Sequence, residues 1–279
     1  MIKSKIEITE KQAKRWARFG SRAVFGMAIK ELLSESENLY ILSADMITSS
    51  GLTPAKREFP DKLIDVGIAE QNLVGIAAGM ANENNTIFIS TIAPFMTIRA
   101  AEQIRMNLGY MQMNVKFVGI GSGLAFGDLG NSHFCFEDVS LMRAIPGITI
   151  LSPADAVEIY KVVYAAANFS GPVYIRLTGA APSDIVYKED YDFQIGKAVN
   201  LTPSNEKSRD IAIFATGSMV SPAIKAAEFL KEKNIYSEVY NFHTIKPLDE
   251  EIVKKSLDKK LIVTIEEHSV VGGLGSAVL

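Results

Sequence analysis

The sequence predicts an α/β protein made of two doubly wound parallel-sheet domains, at 1–185 and 186–279. Three observations carry this. Short apolar runs alternate with helix-length segments over 39–176 and again over 210–265. A polar, proline-containing stretch at 180–208 separates the two series. The chain has 279 residues, 48% of them hydrophobic, which is enough for two cores. Alternating strand and helix implies parallel strands joined by right-handed crossovers.

Composition narrows the function. A net charge of -3 argues against a nucleic acid or polyanion held by bulk charge. Small phosphorylated ligands stay open. The single cysteine, Cys135, rules out an intrachain disulfide and fits a reducing compartment. The start, Met1-Ile2-Lys3-Ser4-Lys5, leads into polar sequence rather than an apolar signal core. No run approaches the ~18 apolar residues of a membrane span. A cytoplasmic protein is expected.

Taken in order, residues 1–36 read as a polar lead followed by an amphipathic helix over 21–33. Leu39-Tyr40-Ile41-Leu42 is a strand that runs into Ser43-Ala44-Asp45. Ligands of open parallel sheets bind beyond the carboxyl ends of strands, which favours Asp45 and Ser49. Ordinary turn chemistry explains them equally well. Residues 62–65 give the next strand, and 70–80 a helix. Between these runs lies Asp65-Val66-Gly67-Ile68-Ala69-Glu70-Gln71-Asn72. A carboxylate set between Ile68 and Val74 carries a desolvation cost unless a partner offsets it. That suits a group sharing a proton with a ligand; an acid at a helix N-terminus is the plainer reading.

A strand over 86–90, a loop over 91–95 and a helix over 99–108 follow. The strand at 115–120 precedes a glycine-rich loop, 121–130, and then Asn131-Ser132-His133. Glycines let a backbone approach a ligand closely. An isolated histidine is nevertheless more often structural than catalytic. After the strand at 148–151, Ser152 is placed as N-cap with Pro153 at the first helical position, and Asp155 near the helix start. This helix runs to about 168, and 171–176 closes the first domain. The second domain reads as strand and turn (210–218), helix (220–233), strand (236–241), helix (250–257) and strand (261–265). Glu266-Glu267-His268 and Gly272-Gly273-Leu274-Gly275 follow. The chain stops at Leu279 at what reads as a helix start, so this domain reads as incomplete.

Asp65 to Asn72, written out above, resembles the pyrimidine-binding segment of transketolases and 1-deoxyxylulose-phosphate synthases. Further matches in the same order extend the resemblance over about 16–279. The whole is similar to the C-terminal half of a transketolase made as a separate polypeptide: a pyrimidine-binding domain, then a transketolase C-terminal-like domain.

The resemblance implies roles. In that superfamily the glutamate matched by Glu70 hydrogen-bonds the aminopyrimidine of thiamine diphosphate, which makes Glu70 catalytic and cofactor-binding. Ser43-Ala44-Asp45 resembles a Ser-Ala-Asp segment whose aspartate lies near the cofactor. A serine four residues on, here Ser49, contacts sugar phosphate. Phe95 matches an aromatic that stacks on the pyrimidine, whereas Ile92 stands where many members have another aromatic. His133 matches a histidine that contacts substrate and helps move protons. His268 beside Glu267 has the form of an acid–base pair, but the family uses this domain mainly for assembly.

Gly127-Asp128-Leu129-Gly130-Asn131 faintly resembles the Gly-Asp-Gly…Asn motif that holds Mg²⁺ and diphosphate, at the wrong spacing. No metal ligand is therefore expected on this chain. The resemblance implies a separate N-terminal transketolase subunit carrying the diphosphate and magnesium, in an α2β2-like assembly.

Three departures bear on substrate. Leu129 replaces an aspartate that contacts a donor hydroxyl, Gly121 a histidine near the sugar, and Gly179 an arginine that grips the substrate phosphate. Arg176 is the candidate to compensate, although strand alternation and distance count against it. The implied activity is transfer of a two-carbon ketol unit between sugars, at least one of them deoxy, branched or nucleotide-linked. Alternatives are a deoxyxylulose-phosphate synthase-like or 2-oxo acid dehydrogenase β subunit, or a non-catalytic partner.

Overall fold

The computed structural model describes residues 2–4, 6–178, 182–202 and 210–279. Its strands are β1 (Leu39–Ser43), β2 (Leu63–Asp65), β3 (Thr86–Ile92), β4 (Val115–Ser122), β5 (Thr149–Leu151), β6 (Val173–Thr178), β7 (Val199–Asn200), β8 (Ile211–Ala215), β9 (Ser237–Asn241), β10 (Thr244–Lys246) and β11 (Leu261–Ile265). One sheet runs β10-β5-β6-β4-β3-β1-β2 and the other β11-β8-β9-β7. Pairs are parallel except at one edge of each sheet, β10 on β5 and β7 on β9.

β4 and β6 are buried at every residue, as befits central strands covered on both faces. Ser21–Glu35 and Ala156–Asn168 cover one face through Phe25, Ile29, Leu32, Tyr160 and Val163. Glu70–Ala81 and the winding that follows Phe95 cover the other through Leu73, Val74, Met96 and Ile104. Among the described residues no helix is long and apolar enough to cross a membrane.

Several local expectations change. The polar lead contains a helix, Glu10–Phe19, capped by the Thr9 side chain, which accepts from the Gln12 N–H. It buries Trp16 against Tyr160, with ring centroids 4.7 Å apart. Ser21–Glu35 is buried over most of its circumference rather than along one stripe. The segment expected as a helix over 99–108 is wound largely as π-helix, from Phe95–Arg99 to Ile104–Tyr110. The stretch 180–208 reads as a linker plus an edge strand; the edge strand is β7, and part of the linker is packed, with Tyr187 and Tyr191 stacked at 4.1 Å and Tyr187 in the first core.

Ser152 does not cap the following helix. The helix starts only at Ala156, so Pro153 is not its first residue, and Asp155 is the cap, its side chain accepting from the Glu158 N–H. The other Asp155 oxygen accepts the N–H groups of Val186 and Tyr187. Burial pushes the Asp155 carboxyl up to about 6 from an ordinary 3.8, against the pull of those donors. The folded chain thus holds this proton more tightly than the unfolded chain. The associated stability is full below about pH 4 and is lost as pH rises through about 6. Asp155→Asn is expected to flatten this component. Urea midpoints of variant and wild type compared between pH 4 and pH 7 check it; parallel curves refute it.

The second sheet is fastened to the first domain. Besides the β10 pairing, Asn241 donates Nδ2–H to both oxygens of buried Glu158, and the Lys246 ammonium donates to the Arg143 and Ile145 carbonyls. Burial raises the Glu158 carboxyl above its ordinary value.

Candidate active site

The carboxyl ends of β1, β2, β3 and β4 present the residues singled out by sequence. Glu70 opens the helix Glu70–Ala81 and is only 5% exposed. Its Oε1 accepts from Arg99 Nη1 at 3.0 Å. The Arg99 guanidinium lies 3.9 Å from the Phe95 ring centroid, covering one ring face. The His133 ring meets Phe95 edge-on, with centroids 5.4 Å apart, and meets Phe126 at 6.4 Å. Arg22 sits 5.8 Å from the Phe126 centroid and donates Nη1–H to the Ser49 carbonyl at 3.2 Å. Glu70, Arg99, Phe95, His133, Phe126, Arg22 and Ser49 therefore form one line of touching groups. Phe95 and Arg99 of this line also border an open cavity of about 430 Å³, together with Ser132 and Phe134.

Asp45 joins this line indirectly. It is exposed, has φ +56, and donates its N–H to Asp65 Oδ1 at 2.9 Å. The same oxygen accepts the Gly67 N–H at 2.9 Å. Asp65 thus ties the end of β1 to the turn that delivers Glu70. The Ser49 loop is seated through glycine: a Cβ on Gly26 would collide with the Gly51 carbonyl. Gly26→Ala is expected to cost about 1–3 kcal/mol by overpacking, read as a lower urea midpoint. An unchanged midpoint would show that the contact gives way freely.

The departures have physical counterparts. Gly121, at φ +72, leaves room for the Phe126 ring, which packs where a Cβ would stand. Leu129 is 53% exposed. Gly179 lies outside the described residues. Arg176 does not take over as a phosphate grip. It is 2% exposed, with Nε on Asp138 Oδ2 at 2.7 Å and Nη2 on the Glu267 carbonyl at 2.7 Å. Tyr174 donates to the same Asp138 oxygen at 2.7 Å. Burial pulls the Arg176 pKa down, and the charge of Asp138 is the main cause that more than reverses this. The cation at the rim beside Ser49 is instead Arg22. Cys135 is buried, and burial followed by Asp138 pushes its thiol up to about 12, so it is inert at neutral pH.

Arg22, Arg99 and Asp65 were not picked out by sequence reasoning. Arg99 lies 29 residues from Glu70, and no local pattern links the two. The His268 side chain is 1% exposed, with Nε2 facing Asp138 Oδ1 at 3.8 Å and the Ser140 N–H at 3.4 Å, so it belongs to the domain contact. Among the described residues no three His, Cys, Asp or Glu side chains converge as a metal would require. A nearly buried carboxylate beside a flat aromatic face does fit the nitrogen-heterocycle end of a bound cofactor.

Comparison with known proteins shows the family. Residues 18–181 match the transketolase pyrimidine binding domain, and 202–279 the transketolase C-terminal domain. A "putative transketolase C-terminal section" from Methanocaldococcus jannaschii is 40% identical over 93% of this chain and 80% of its own length. One of the subunits of an apulose-4-phosphate transketolase, from Phocaeicola vulgatus, is 35% identical, covering 92% and 82%. A solved structure described as "split gene transketolase, inactive beta4 tetramer" superposes with a TM-score of 0.83 at 37% identity, covering 92% of this chain and 83% of that one. The chain therefore belongs to the transketolase family, as the C-terminal section of a split, thiamine-diphosphate-dependent transketolase.

Proposed function

We propose that this chain supplies the pyrimidine half of a thiamine diphosphate site, and that a separate N-terminal subunit supplies the diphosphate and magnesium half. The observation that carries the reading is the Glu70 carboxylate, 5% exposed and one guanidinium away from the Phe95 ring. Glu70 shares a proton with a ring nitrogen, and Phe95 offers an aromatic face to the ring. Arg99 at present holds both, so it has to give up one to admit a heterocycle. When bound, thiamine diphosphate supplies the electron sink for cleaving and remaking a carbon–carbon bond. His133 moves protons at substrate oxygens. Asp45 borders the cofactor, and the Ser49 hydroxyl meets the sugar phosphate.

The substrate proposed is a phosphorylated sugar outside the ordinary ketose phosphates. Gly121, Leu129 and Gly179 offer none of the contacts that such sugars receive elsewhere in the family, while Arg22 presents a cation at the rim beside Ser49. The relative described as an apulose-4-phosphate transketolase subunit favours this class. The same reading sets the domain division at 185/186, a mixed oligomer of both subunits, and a cytoplasmic site of action for carbohydrate metabolism.

Calorimetry with thiamine diphosphate and Mg²⁺ tests the half-site. Tight binding is expected only when both subunits are mixed. Equal binding by this chain alone refutes the division. His133→Ala in the mixed enzyme is expected to lower kcat by about 10²–10⁴-fold, with cofactor binding retained. Turnover at the wild-type rate would remove His133 from the reaction.

A further inference from the structure

The segment that leaves β11 does not end its work inside the second domain. Glu267 Oε1 accepts the Leu124 N–H at 2.9 Å, and its Oε2 accepts the Ser218 hydroxyl at 2.6 Å. Two residues on, the Ser269 N–H donates to the Phe136 carbonyl at 2.9 Å. Leu124 and Phe136 flank the neck of the glycine-rich loop. That neck is a pair of hydrogen bonds exchanged between Gly123 and Cys135, at 2.9 and 3.1 Å. Phe126 and His133 lie between, on the loop it closes. The approach is built for a carboxylate: at φ +67, a Cβ on Gly123 would collide with the Glu267 carboxyl carbon.

We propose that Glu267 is a positioning residue, through which the C-terminal domain holds the loop that carries His133 in its working place. The inference rests on the role given to His133 above. It extends the site to a domain that the sequence assigned to assembly. Glu267 bonds loop backbone, not substrate. Its bond to Leu124 is charge-assisted, stronger than a neutral contact and fixed in direction. Below the neck the loop carries Gly127 and Gly130, which do little to restrain the chain. The neck and its anchors therefore set where the imidazole stands. Arg176 reinforces the strap from beneath by donating to the Glu267 carbonyl.

The test uses the enzyme reconstituted with its partner subunit, carrying Glu267→Ala or Glu267→Gln. Amide hydrogen exchange, kcat, KM for the sugar and Tm are measured on each. With Glu267→Ala, faster exchange is expected to be confined to 123–136, with kcat lower by roughly tenfold to a hundredfold. KM and Tm are expected near wild type. Gln keeps an oxygen for the Leu124 N–H and is expected to restore most of the exchange protection and rate. Unchanged loop exchange overturns the proposal. So does exchange that rises across the whole chain with a fallen Tm, which marks a merely structural role. Should His133→Ala be fully active, the reading of the site fails on its own account. Loop exchange and its rescue by Gln then still judge the anchor.

Discussion

Glu70→Gln is expected to lower turnover of the mixed enzyme by about 10²–10⁴-fold, the usual share of one acid–base group. Gln keeps the shape and a hydrogen-bonding oxygen but cannot hold or return a proton. Glu70→Ala is expected to lose as much and to weaken cofactor binding as well. Neither change should unfold the chain, because the Arg99 partner is half exposed and an ion pair so placed contributes little stability. Single-turnover and steady-state rates, with calorimetry of thiamine diphosphate, separate the two losses. Wild-type turnover in Glu70→Gln would remove this carboxylate from the chemistry.

The second large effect is on stability. Asp138 and Arg176 are 0% and 2% exposed, and the pair sits under the contact between the two domains. Arg176→Met leaves a buried carboxylate with no cation and is expected to cost about 3–5 kcal/mol. At roughly 2–4 °C per kcal/mol for a chain of this size, Tm falls by about 10 °C. Replacing both partners, Asp138→Leu with Arg176→Met, is expected to recover much of that loss, since no unpaired charge remains. Arg176→Lys should not substitute: one ammonium cannot reproduce the planar fork that reaches Asp138 and the Glu267 carbonyl together. Unfolding curves for the two single variants and the double variant check this. A mild single variant would mean that Tyr174 and His268 hold Asp138 unaided.

Much of the fold could be read from sequence because burial on both sheet faces writes itself as continuous apolar runs. β1, β3, β4, β8 and β11 fall where those runs do. β10 escaped notice because three residues beginning with Thr244 carry no period, and their partner β5 lies far back in the chain. The helix Glu10–Phe19 was hidden for another reason. Ala13, Trp16 and Ala17 have helical spacing, but only Trp16 is large, and charged residues dilute the stripe. The Thr9 cap was the available signal. At the site, the Phe95 and His133 rings meet edge-on. The arginines could not be found from local sequence, since an ion pair depends on which loops meet in space. For Arg176 the buried partner Asp138 could be known only from three dimensions, so a substrate role stayed open until its burial was seen.

The β10–β5 pairing also has a practical side. A fragment cut after the first domain, before Thr244, would leave Thr149–Leu151 as an uncapped outer strand with its peptide groups bare. Such a margin templates sticking between copies, so the fragment should precipitate or dimerise through it. Chimeras that graft a foreign second domain therefore need to carry this short strand with the acceptor.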